Sequence, residues 1–528
     1  MNQAKEESRK AIRRFLERHP ETETVELVLT DLNGIFRGKW LPVEAMDKVL
    51  DGQFKMPLTA VTPDIWGRDV PELCERTGDG DGICDVVGSS IRPLPWLSRP
   101  TAQVFLQLNT EDGSPWGFDP RVVLGKVFEQ YRERGLTPVC APELEFYLFA
   151  EGRDNEGRPK IPATRVNGDC RIGGQLYSTE MMQEQATLLH EIREACALMQ
   201  VPLDGLLKEL APGQYELNLH HVDNPLQAAD NAQLLKQVIK SVARKHGQVA
   251  SFMAKPFGDR DGNGFHTHVS VLDGEGRNIF DDGTDKGSEA LRHAIAGLAE
   301  VMPESMLVFA PHLNSWRRLQ RGVHGPLAPT WGYENRFVAM RIPNGEGKAR
   351  RIEHRIGGAD ANPYLSLAVI LAGILHGLDN RLTAQEPTTA GPGKPQATLP
   401  NTWTAALESF ENSGFIADQL GADFRQAFAA IKRVEQSAHI HVRVGTRGEI
   451  GMNRVLPAAR LQELTMVTVG LCHLNAGCGN ITKVICAMRR KPDFITVERL
   501  VVLPGHGEGQ MRLVKTAGQK EWLVVRLL

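Results

Sequence analysis

The chain has 528 residues, of which 41% are hydrophobic and 24% charged, as expected for a soluble globular protein with more than one domain. Its net charge of −3 gives no reason to expect a nucleic acid or an anionic membrane as a partner. The sequence contains no run of 18 apolar residues, its first residues lack an apolar signal core, and its eight cysteines are scattered. These features predict a cytoplasmic protein with reduced thiols.

The first region predicts a small β-rich module. Residues 8–18 have the pattern of a short amphipathic helix, so residues 1–21 are assigned to an N-terminal helical segment. Alternating apolar residues on both sides of Asp31-Leu32-Asn33-Gly34 predict a hairpin. Glycines and prolines between residues 78 and 96 interrupt the following stretch. We expect the β-rich domain to cover residues 22–115.

Beyond Pro120, helix-length segments alternate with strands, which predicts a mixed α+β domain over residues 116–436. The expected helices are 122–135, 178–199, 228–246, 288–302 and 364–378. The expected strands are 137–141, 142–149 and 250–254. The Gly- and Pro-rich stretch 388–395 predicts a loop.

The last region, residues 437–528, differs in composition from the rest. It contains 13 Lys and Arg against 6 Asp and Glu, a net charge of +7, whereas residues 1–436 carry −10. One interpretation is a frameshifted or read-through terminus that is poorly ordered and dispensable for catalysis. The other is an added regulatory domain, which the strand-like segments 512–514 and 522–525 favour. A zinc site is a weaker alternative, because the spacing of the candidate ligands matches no compact zinc pattern. Those ligands would be His439, His441, Cys472, His473, Cys478 and Cys486.

Four polar segments carry the chemistry that the sequence indicates. Glu143 and Glu145 lie in an apolar run, and in a strand residues i and i+2 point to one face, roughly 6.6 Å apart at about 3.3 Å per residue. Each glutamate can therefore reach a different metal ion. Carboxylates that hold divalent metals, with arginines facing them, are what an enzyme handling ATP phosphates requires. The other segments supply Glu209, Glu216, His266, His268, Glu353 and Arg355.

Each motif also has an ordinary structural explanation. A Glu-x-Glu pair is usually a solvated strand face, but an unpaired charge is costly inside an apolar run. The His-x-His pair could belong to a polar loop, although the preceding glycines let the backbone approach a ligand closely. The arginines between residues 336 and 355 could form surface ion pairs. A nucleic-acid patch is disfavoured by the neighbouring acids and by the absence of interleaved aromatic residues.

In these segments the chain resembles the glutamine synthetase family. The similarity runs in order over residues 22–435, through Asp31 to Lys39, Pro142 to Phe146, Glu209 to Glu216, Lys255 to His268, Asn314 to Leu319, Lys348 to Glu353 and Ala361 to Tyr364. The resemblance implies an α+β fold with an N-terminal β-grasp domain and a C-terminal catalytic domain that has an antiparallel sheet and helices. It also implies active sites at the subunit interfaces of a ring-shaped homo-oligomer, typically a dodecamer.

The resemblance further implies that ATP phosphorylates the γ-carboxyl of glutamate and that an amine then displaces phosphate. Two or more Mg²⁺ or Mn²⁺ ions are implied, one held by Glu145, Glu209 and Glu216 and another by Glu143, His266 and Glu353. Carboxylate ligands suit Mg²⁺, and the single imidazole favours tolerance of Mn²⁺. The other implied roles are catalysis by Arg336, Arg341, Arg355 and Asp64, glutamate binding by Gly262 and Arg318, and nucleotide binding by His268, Ser270, Lys348 and Arg351.

Departures from the family pattern indicate which amine reacts. Ammonia-using members carry a flap glutamate that binds and deprotonates ammonium, whereas residues 320–329 here contain no acid. Asp64 is retained, but the surrounding Asp-Gly-Ser-Ser loop is not. We therefore expect a γ-glutamylpolyamine (glutamate–putrescine) type of ligase, with an ammonia-using glutamine synthetase as the alternative. A non-catalytic relative would be expected to lose metal ligands, and all six positions are filled. Guanido kinase chemistry does not explain carboxylates matched to a glutamate site.

Overall fold

The computed structural model describes residues 2–155, 157–163, 175–320, 326–392 and 398–445, together with four strands between residues 484 and 526. The chain divides into two compact units, Met1–Glu435 and Gln436–Leu528. Half of the segment that corresponds to the flap, residues 321–325 of 320–329, lies outside the described residues, as do Cys472, His473 and Cys478 of the weak zinc motif. No helix in the described ranges is long and apolar enough to span a membrane.

A six-stranded sheet forms the first part of the larger unit. Its strands are β1 (Thr24–Thr30), β2 (Phe36–Pro42), β3 (Lys55–Pro57), β4 (Asp81–Val86), β5 (Arg92–Pro93) and β6 (Thr101–Asn109), and its helices are α1 (Asn2–Arg18), α2 (Met46–Leu50) and α3 (Pro71–Thr77). The strand order is β2-β1-β6-β4-β3, with β5 also paired to β6. The predicted hairpin is present as β1 and β2, and β1 runs parallel to β6. Val25, Leu27 and Val104 are fully buried and form part of the core of this sheet.

An eight-stranded sheet follows in the same unit. Its strands are β7 (Thr137–Ala150), β8 (Leu203–Lys208), β9 (Gln214–Leu219), β10 (Gln248–Ser251), β11 (Phe265–Leu272), β12 (Trp331–Tyr333), β13 (Met340–Ile342) and β14 (Ile352–His354). The order is β12-β13-β14-β11-β7-β9-β8, with β10 also paired to β7. All of these pairs are antiparallel except β12 with β13, so the expected α+β class with a largely antiparallel sheet is present.

Nine helices among the described residues pack around this second sheet and beyond it. They are α4 (Pro120–Glu133), α5 (Thr179–Glu184), α6 (Ala186–Leu198), α7 (Pro225–Lys245), α8 (Glu289–Phe309), α9 (Pro363–Asn380), α10 (Trp403–Glu411), α11 (Gly414–Leu420) and α12 (Ala422–Gly445). Alternate residues of β7, including Leu144, Phe146 and Leu148, share one hydrophobic cluster with Leu235 and Ile239 of α7. One face of the sheet is thereby closed, and the other is left for polar side chains.

Two elements differ from the sequence expectation. The segments expected as two strands form one continuous strand, β7, because Pro142 precedes the start of the ladder with β9 at Glu143 and so removes no bond from it. The single helix expected over 178–199 is divided at Gln185, whose backbone (φ −106°, ψ 13°) belongs to neither α5 nor α6. Its side chain accepts a hydrogen bond from Gln248 at 3.0 Å, a tertiary contact that local sequence does not encode.

The described residues of the smaller unit form two separate antiparallel strand pairs. They are β15 (Val484–Lys491) with β16 (Phe494–Val502), and β17 (Met511–Lys515) with β18 (Trp522–Arg526). Both strand-like segments noted in the sequence, 512–514 and 522–525, fall within β17 and β18. Whether this region is dispensable for catalysis stays a prediction.

Buried polar contacts fasten the β1–β2 hairpin turn to the rest of the larger unit. Asn362, which caps α9, donates to the backbone oxygen of Asp31 at 3.0 Å. Asn33 donates to Glu435 at 3.0 Å and accepts from Lys432 at 2.6 Å. Lys432 and Glu435 are fully buried and 2.9 Å apart. Burial opposes ionisation of Glu435, but Lys432 and His312 lower the pKa of its carboxyl to about 2.

The close packing of α8 against α9 yields a stability prediction. A Cβ added at Gly377 would overlap the backbone oxygen of His293, and backbone atoms on both helices cannot move independently. We expect Gly377→Ala to lower the free energy of unfolding by about 1–3 kcal/mol or more, the usual cost of overpacking. Gly125→Ala in α4 is the matched control, since nothing lies within 4 Å of its added Cβ. That variant should gain about 0.5–1 kcal/mol from reduced backbone entropy. Equal destabilisation of both variants in urea melts would contradict the packing argument.

The buried pair in α12 predicts where the chain can be shortened. Truncation after Gln436 keeps Lys432 and Glu435, and we expect the shortened protein to remain folded and active. Truncation after Ile431 removes both charges and the hydrogen bonds that they make with Asn33, so it should destabilise the fold by about 1–3 kcal/mol for each buried polar group left unsatisfied. Thermal melting and size-exclusion chromatography distinguish these outcomes. If the longer variant also unfolds, the region from Ser437 onward is part of the working structure.

Candidate active site

The site occupies the polar face of the second sheet, and strand register decides which side chains meet there. Directly opposite residues of an antiparallel pair share a face, with Cβ atoms about 4.5–5.5 Å apart. Four neighbouring ladders join the strands β13, β14, β11, β7 and β9 in that order, and they therefore place a row of charged groups side by side. The opposite pairs are Glu143 with His266, Glu145 with Glu216, His268 with Glu353, and Glu353 with Arg341.

Five of these side chains form two overlapping clusters suited to metal ions. Glu143, His266 and Glu353 form one cluster, and Glu145, Glu216 and His266 form the other, each with its ligand atoms within 4.8 Å of one another. His266 lies between them: its Nδ1 is 2.7 Å from Glu143 and 3.9 Å from Glu353, and its Nε2 is 4.0 Å from Glu145. Carboxylate oxygens with one imidazole are ligands that suit Mg²⁺ and Mn²⁺.

Glu209, the remaining expected metal ligand, lies outside both clusters. It follows the end of β8, and its Oε2 accepts a hydrogen bond from the backbone N–H of Leu210 at 3.1 Å. Burial and then the charge of Glu145 raise the pKa of Glu209 to about 7, so the two carboxylates are near enough to interact. Glu209 thus lies at the edge of the site, and its position depends on the β8–β9 turn.

The protein alone does not neutralise this concentration of negative charge. Burial, followed by the charges of Glu143 and Glu145, raises the pKa of Glu216 to about 10. Burial also opposes ionisation of Glu143, but hydrogen bonds from His266 and His268 hold its pKa well below the usual range. One buried carboxylate therefore stays charged while another is forced toward its neutral form. Divalent cations would allow all of these groups to ionise, so the residues present fit a metal centre.

Arginines approach the clusters from β13 and from the segment after β14. Arg341 donates to Glu353 Oε2 at 2.7 Å, and Arg355 pairs with Glu353 Oε1. Burial opposes ionisation of Glu353, but Arg355 and the neighbouring histidines keep its pKa below the ordinary value. Within the described part of the chain, the buried Nε–H groups of Arg341 and Arg355 have no hydrogen-bond partner. These donors are suited to an anionic ligand such as a phosphoryl group.

A hydrogen bond from Arg351 orients His268. The Arg351 Nε–H donates to His268 Nδ1 at 3.1 Å, so that nitrogen is an acceptor and the ring proton resides on Nε2. His268 Nε2 lies 3.3 Å from Glu143 Oε2 and donates to it. Both His268 and Arg351 were expected at the nucleotide, and the structure places them in direct contact with each other.

Two glycines and one arginine shape the other end of the site. A Cβ at Gly264 would lie 2.7 Å from His266 Nε2 and 3.0 Å from an Arg318 nitrogen. A Cβ at Gly262 would lie 2.5 Å from the backbone oxygen of Ala254. Both positions therefore require a residue without a side chain. Arg318 is buried and donates to the backbone oxygen of Ile356 at 2.8 Å, which holds it beside the Glu145 cluster.

The other expected site residues lie farther from the clusters or have local partners. Ser270 is buried on β11, two residues beyond His268 and on the same face. Lys348 and Arg336 are exposed. Asp64 is fully buried in the loop before α3, where it accepts from the backbone N–H groups of Trp66 and Arg68 and from the Arg68 guanidinium, at 2.8–3.0 Å. The described contacts of Asp64 thus shape its own loop.

Two polar residues beside the clusters, Gln214 and Asn218, and one residue with a strained backbone, Tyr177, were not predicted from the sequence. Gln214 donates to Gly262 O at 2.9 Å and to Glu145 Oε2 at 3.4 Å, and Asn218 donates to Glu143 Oε2 at 3.3 Å. Both could have been found, because they lie two residues from Glu216 on β9 and so share its face. Tyr177, next to the end of β8 in space, has a φ of +59° that no local pattern indicates. Such strained residues often cluster at functional sites.

Comparison with known proteins identifies a shared catalytic domain. Residues 117–444 match the family model described as "Glutamine synthetase, catalytic domain". The γ-glutamylputrescine synthetase of Escherichia coli is 41% identical over 428 residues, which cover 80% of this chain and 90% of that protein. The glutamate–isopropylamine ligase of a Pseudomonas species is 31% identical over 420 residues, covering 76% of this chain and 88% of the relative.

A solved structure shares the fold. The structure titled "GmaS/ADP complex-Conformation 1" superposes with a TM-score of 0.71 at 26% identity, covering 82% of this chain and 98% of that one. The unmatched fifth of this chain corresponds in size to the smaller unit. The two-sheet arrangement of the larger unit is therefore found in other proteins.

The two clusters predict separable metal sites. We expect Glu143→Ala and Glu145→Ala each to weaken one of two Mn²⁺ sites while leaving the other detectable, because each glutamate belongs to a different cluster. Titration of free Mn²⁺ by electron paramagnetic resonance counts the bound ions directly. Glu151→Ala, at an exposed glutamate just after β7, is the matched control and should bind like the unchanged protein. Retention of both sites at full affinity in either cluster variant would contradict the two-cluster assignment.

Proposed function

The chain belongs to the glutamine synthetase family, and we propose that within it the protein is an ATP-dependent ligase that joins the γ-carboxyl of glutamate to an organic amine. The observation that carries the proposal is the pair of carboxylate clusters, together with Arg341 and Arg355, which pair with Glu353 and keep buried Nε–H groups without a partner among the described residues. A site of this kind can hold two divalent cations beside a polyphosphate. The named activities of the two relatives supply the reaction class.

A carboxylate is a poor acyl donor, so the reaction needs two steps. First, a γ-carboxylate oxygen of glutamate attacks the γ-phosphorus of ATP, and ADP leaves. The amine nitrogen then attacks the carbonyl carbon of γ-glutamyl phosphate, inorganic phosphate leaves, and the nitrogen releases its proton. Arg341, Arg355 and Arg336 would neutralise the transferring phosphoryl group, whose charge develops on its equatorial oxygens. Arg318 and the backbone at Gly262 would bind the amino-acid end of glutamate.

We assign the metal ions according to the clusters. Glu143, His266 and Glu353 would hold one Mg²⁺ or Mn²⁺, and Glu145 and Glu216 would hold the other with Glu209. When bound, these ions would offset phosphate charge and polarise the γ-carboxyl. His268, oriented by Arg351, would contact a phosphate oxygen, and Ser270 and Lys348 would contact the nucleotide. The complex of a structural relative with ADP supports a nucleotide site in this fold.

The identity of the amine nucleophile is a further part of the proposal. Two relatives are named for putrescine and isopropylamine, and residues 320–329 contain no carboxylate to bind and deprotonate ammonium. An organic amine can instead gain binding energy from its carbon chain. We therefore propose putrescine or another polyamine or monoamine as the second substrate. An ammonia-using glutamine synthetase is the alternative.

We also propose the assembly implied by the family. The first sheet would be a β-grasp domain, and its Asp64 loop would complete the site of a neighbouring subunit in a ring-shaped homo-oligomer, typically a dodecamer. The exposed side chains of Trp40 and Trp66 in this domain support a subunit interface there. A cytoplasmic location is consistent with the unpaired thiols of Cys74, Cys84, Cys140 and Cys196.

The choice of amine predicts a clear difference in rate. With glutamate and ATP present, putrescine or isopropylamine should support phosphate release with a kcat/KM at least about tenfold above that of ammonium, or about 1.4 kcal/mol in transition-state binding. Mass spectrometry of the product identifies the nucleophile. The Glu143→Ala variant serves as the control for contaminating activity. Equal or better efficiency with ammonium would establish the alternative, a glutamine synthetase.

A further inference from the structure

A buried lysine lies directly behind the carboxylate at the edge of the site. Lys208, the last residue of β8, is fully buried, and its ammonium donates to the backbone oxygens of Glu209 at 2.5 Å and Ala211 at 2.6 Å. Its Nζ also lies 5.6 Å from the ring centroid of Tyr215. Burying a lysine is costly unless its donors are satisfied. Here the two acceptors are backbone carbonyls of the short turn between β8 and β9.

That turn determines where the Glu209 carboxylate lies. The Glu209 N–H donates to Gln214 O at 3.1 Å, and the Gln214 N–H donates back to Ala211 O at 3.0 Å. Gly213 has a φ of +74°, and a Cβ there would lie 2.9 Å from Leu148 O, so the turn passes tightly over β7. The Lys208 ammonium draws the carbonyls of Glu209 and Ala211 toward one point. It therefore limits the conformations open to the turn.

The main chain at Lys208 also contacts the segment that precedes α5. Its backbone oxygen accepts a hydrogen bond from the N–H of Tyr177 at 2.9 Å. Gln214, at the far end of the turn, binds Glu145 and Gly262. The turn thus connects Glu209 with residues that surround the Glu145 cluster, and a shift of the turn would move several of them together.

We propose that Lys208 is a positioning residue that holds Glu209 in place as a ligand of the metal ion bound by Glu145 and Glu216. The inference rests on the proposed function, because it takes Glu209 as a metal ligand. The ammonium does not touch a substrate. It acts on the backbone of the turn, as groups that support metal ligands from behind generally do.

The test compares Lys208→Met with the unchanged protein. Methionine fills a similar volume but donates no hydrogen bond, so the turn should loosen without leaving a large cavity. Loss of such a supporting group typically costs about 10- to 100-fold in metal affinity. We expect the Mn²⁺ site of Glu145, Glu209 and Glu216 to lose affinity by that factor, while the site of Glu143, His266 and Glu353 keeps its own. The concentration of Mg²⁺ giving half-maximal activity should rise in parallel.

Lys236→Met is the matched control for the loss of a buried lysine. Lys236 also donates to a backbone oxygen, that of Ala361 at 2.9 Å, and lies near the rings of Phe252 and Phe265 in the core behind the sheet. The Lys236→Met variant should lose about as much thermal stability as Lys208→Met but keep both Mn²⁺ affinities unchanged. Equal Mn²⁺ affinities in Lys208→Met and the unchanged protein would overturn the role of Lys208. Absence of Mn²⁺ binding in the unchanged protein would instead overturn the proposed metal centre and function.

Discussion

Mutual repulsion among buried carboxylates is the constraint on which the rest of this site depends. Two like charges 4 Å apart repel by about 4 kcal/mol at an effective dielectric constant near 20. Each cluster contains two carboxylates whose ligand atoms lie within 4.8 Å of each other. The pKa values of Glu143 and Glu216 are shifted in opposite directions. Glu143 remains ionised because two histidines donate to it, whereas Glu216 is pushed toward its neutral form. A centre of this kind is incomplete without cations, and the family to which the chain belongs carries out chemistry on ATP phosphates.

The sheet can hold these repelling carboxylates together because its two faces differ. Strand β7 alternates between carboxylates on one face and large apolar side chains on the other, and the apolar face is buried against α7. Burial of that face fixes the register, since a shift by one residue would exchange the two faces. The metal-binding geometry therefore derives its precision from hydrophobic packing on the opposite side of the sheet. Glu209 is the exception, because it follows a strand end and depends on a turn.

The first sheet is fastened to the rest of the larger unit by buried polar groups. Asn362 caps α9 and also binds the β1–β2 turn, while Lys432 and Glu435 bind Asn33 in the same turn. Glu435 additionally accepts from the N–H of Ile65, one residue from Asp64. Directional contacts of this sort fix orientation more strictly than apolar packing. The loop that carries Asp64 is thereby held in one conformation, as a contact to a neighbouring subunit would require.

Local sequence was sufficient for the β1–β2 hairpin, for β7, for the helices α4, α7, α8 and α9, and for the identity of most candidate ligands. The spacing of Glu143 and Glu145, and of His266 and His268, predicted shared faces because side chains alternate in any strand. It was not sufficient to show which strands are neighbours. Glu216, Glu353 and Arg341 meet the first glutamates only because β9, β14 and β13 pair in this order and register, and those pairings depend on packing between residues far apart in the chain. For the same reason, only the tertiary structure separated Glu209 from the two clusters and revealed Lys208 behind it.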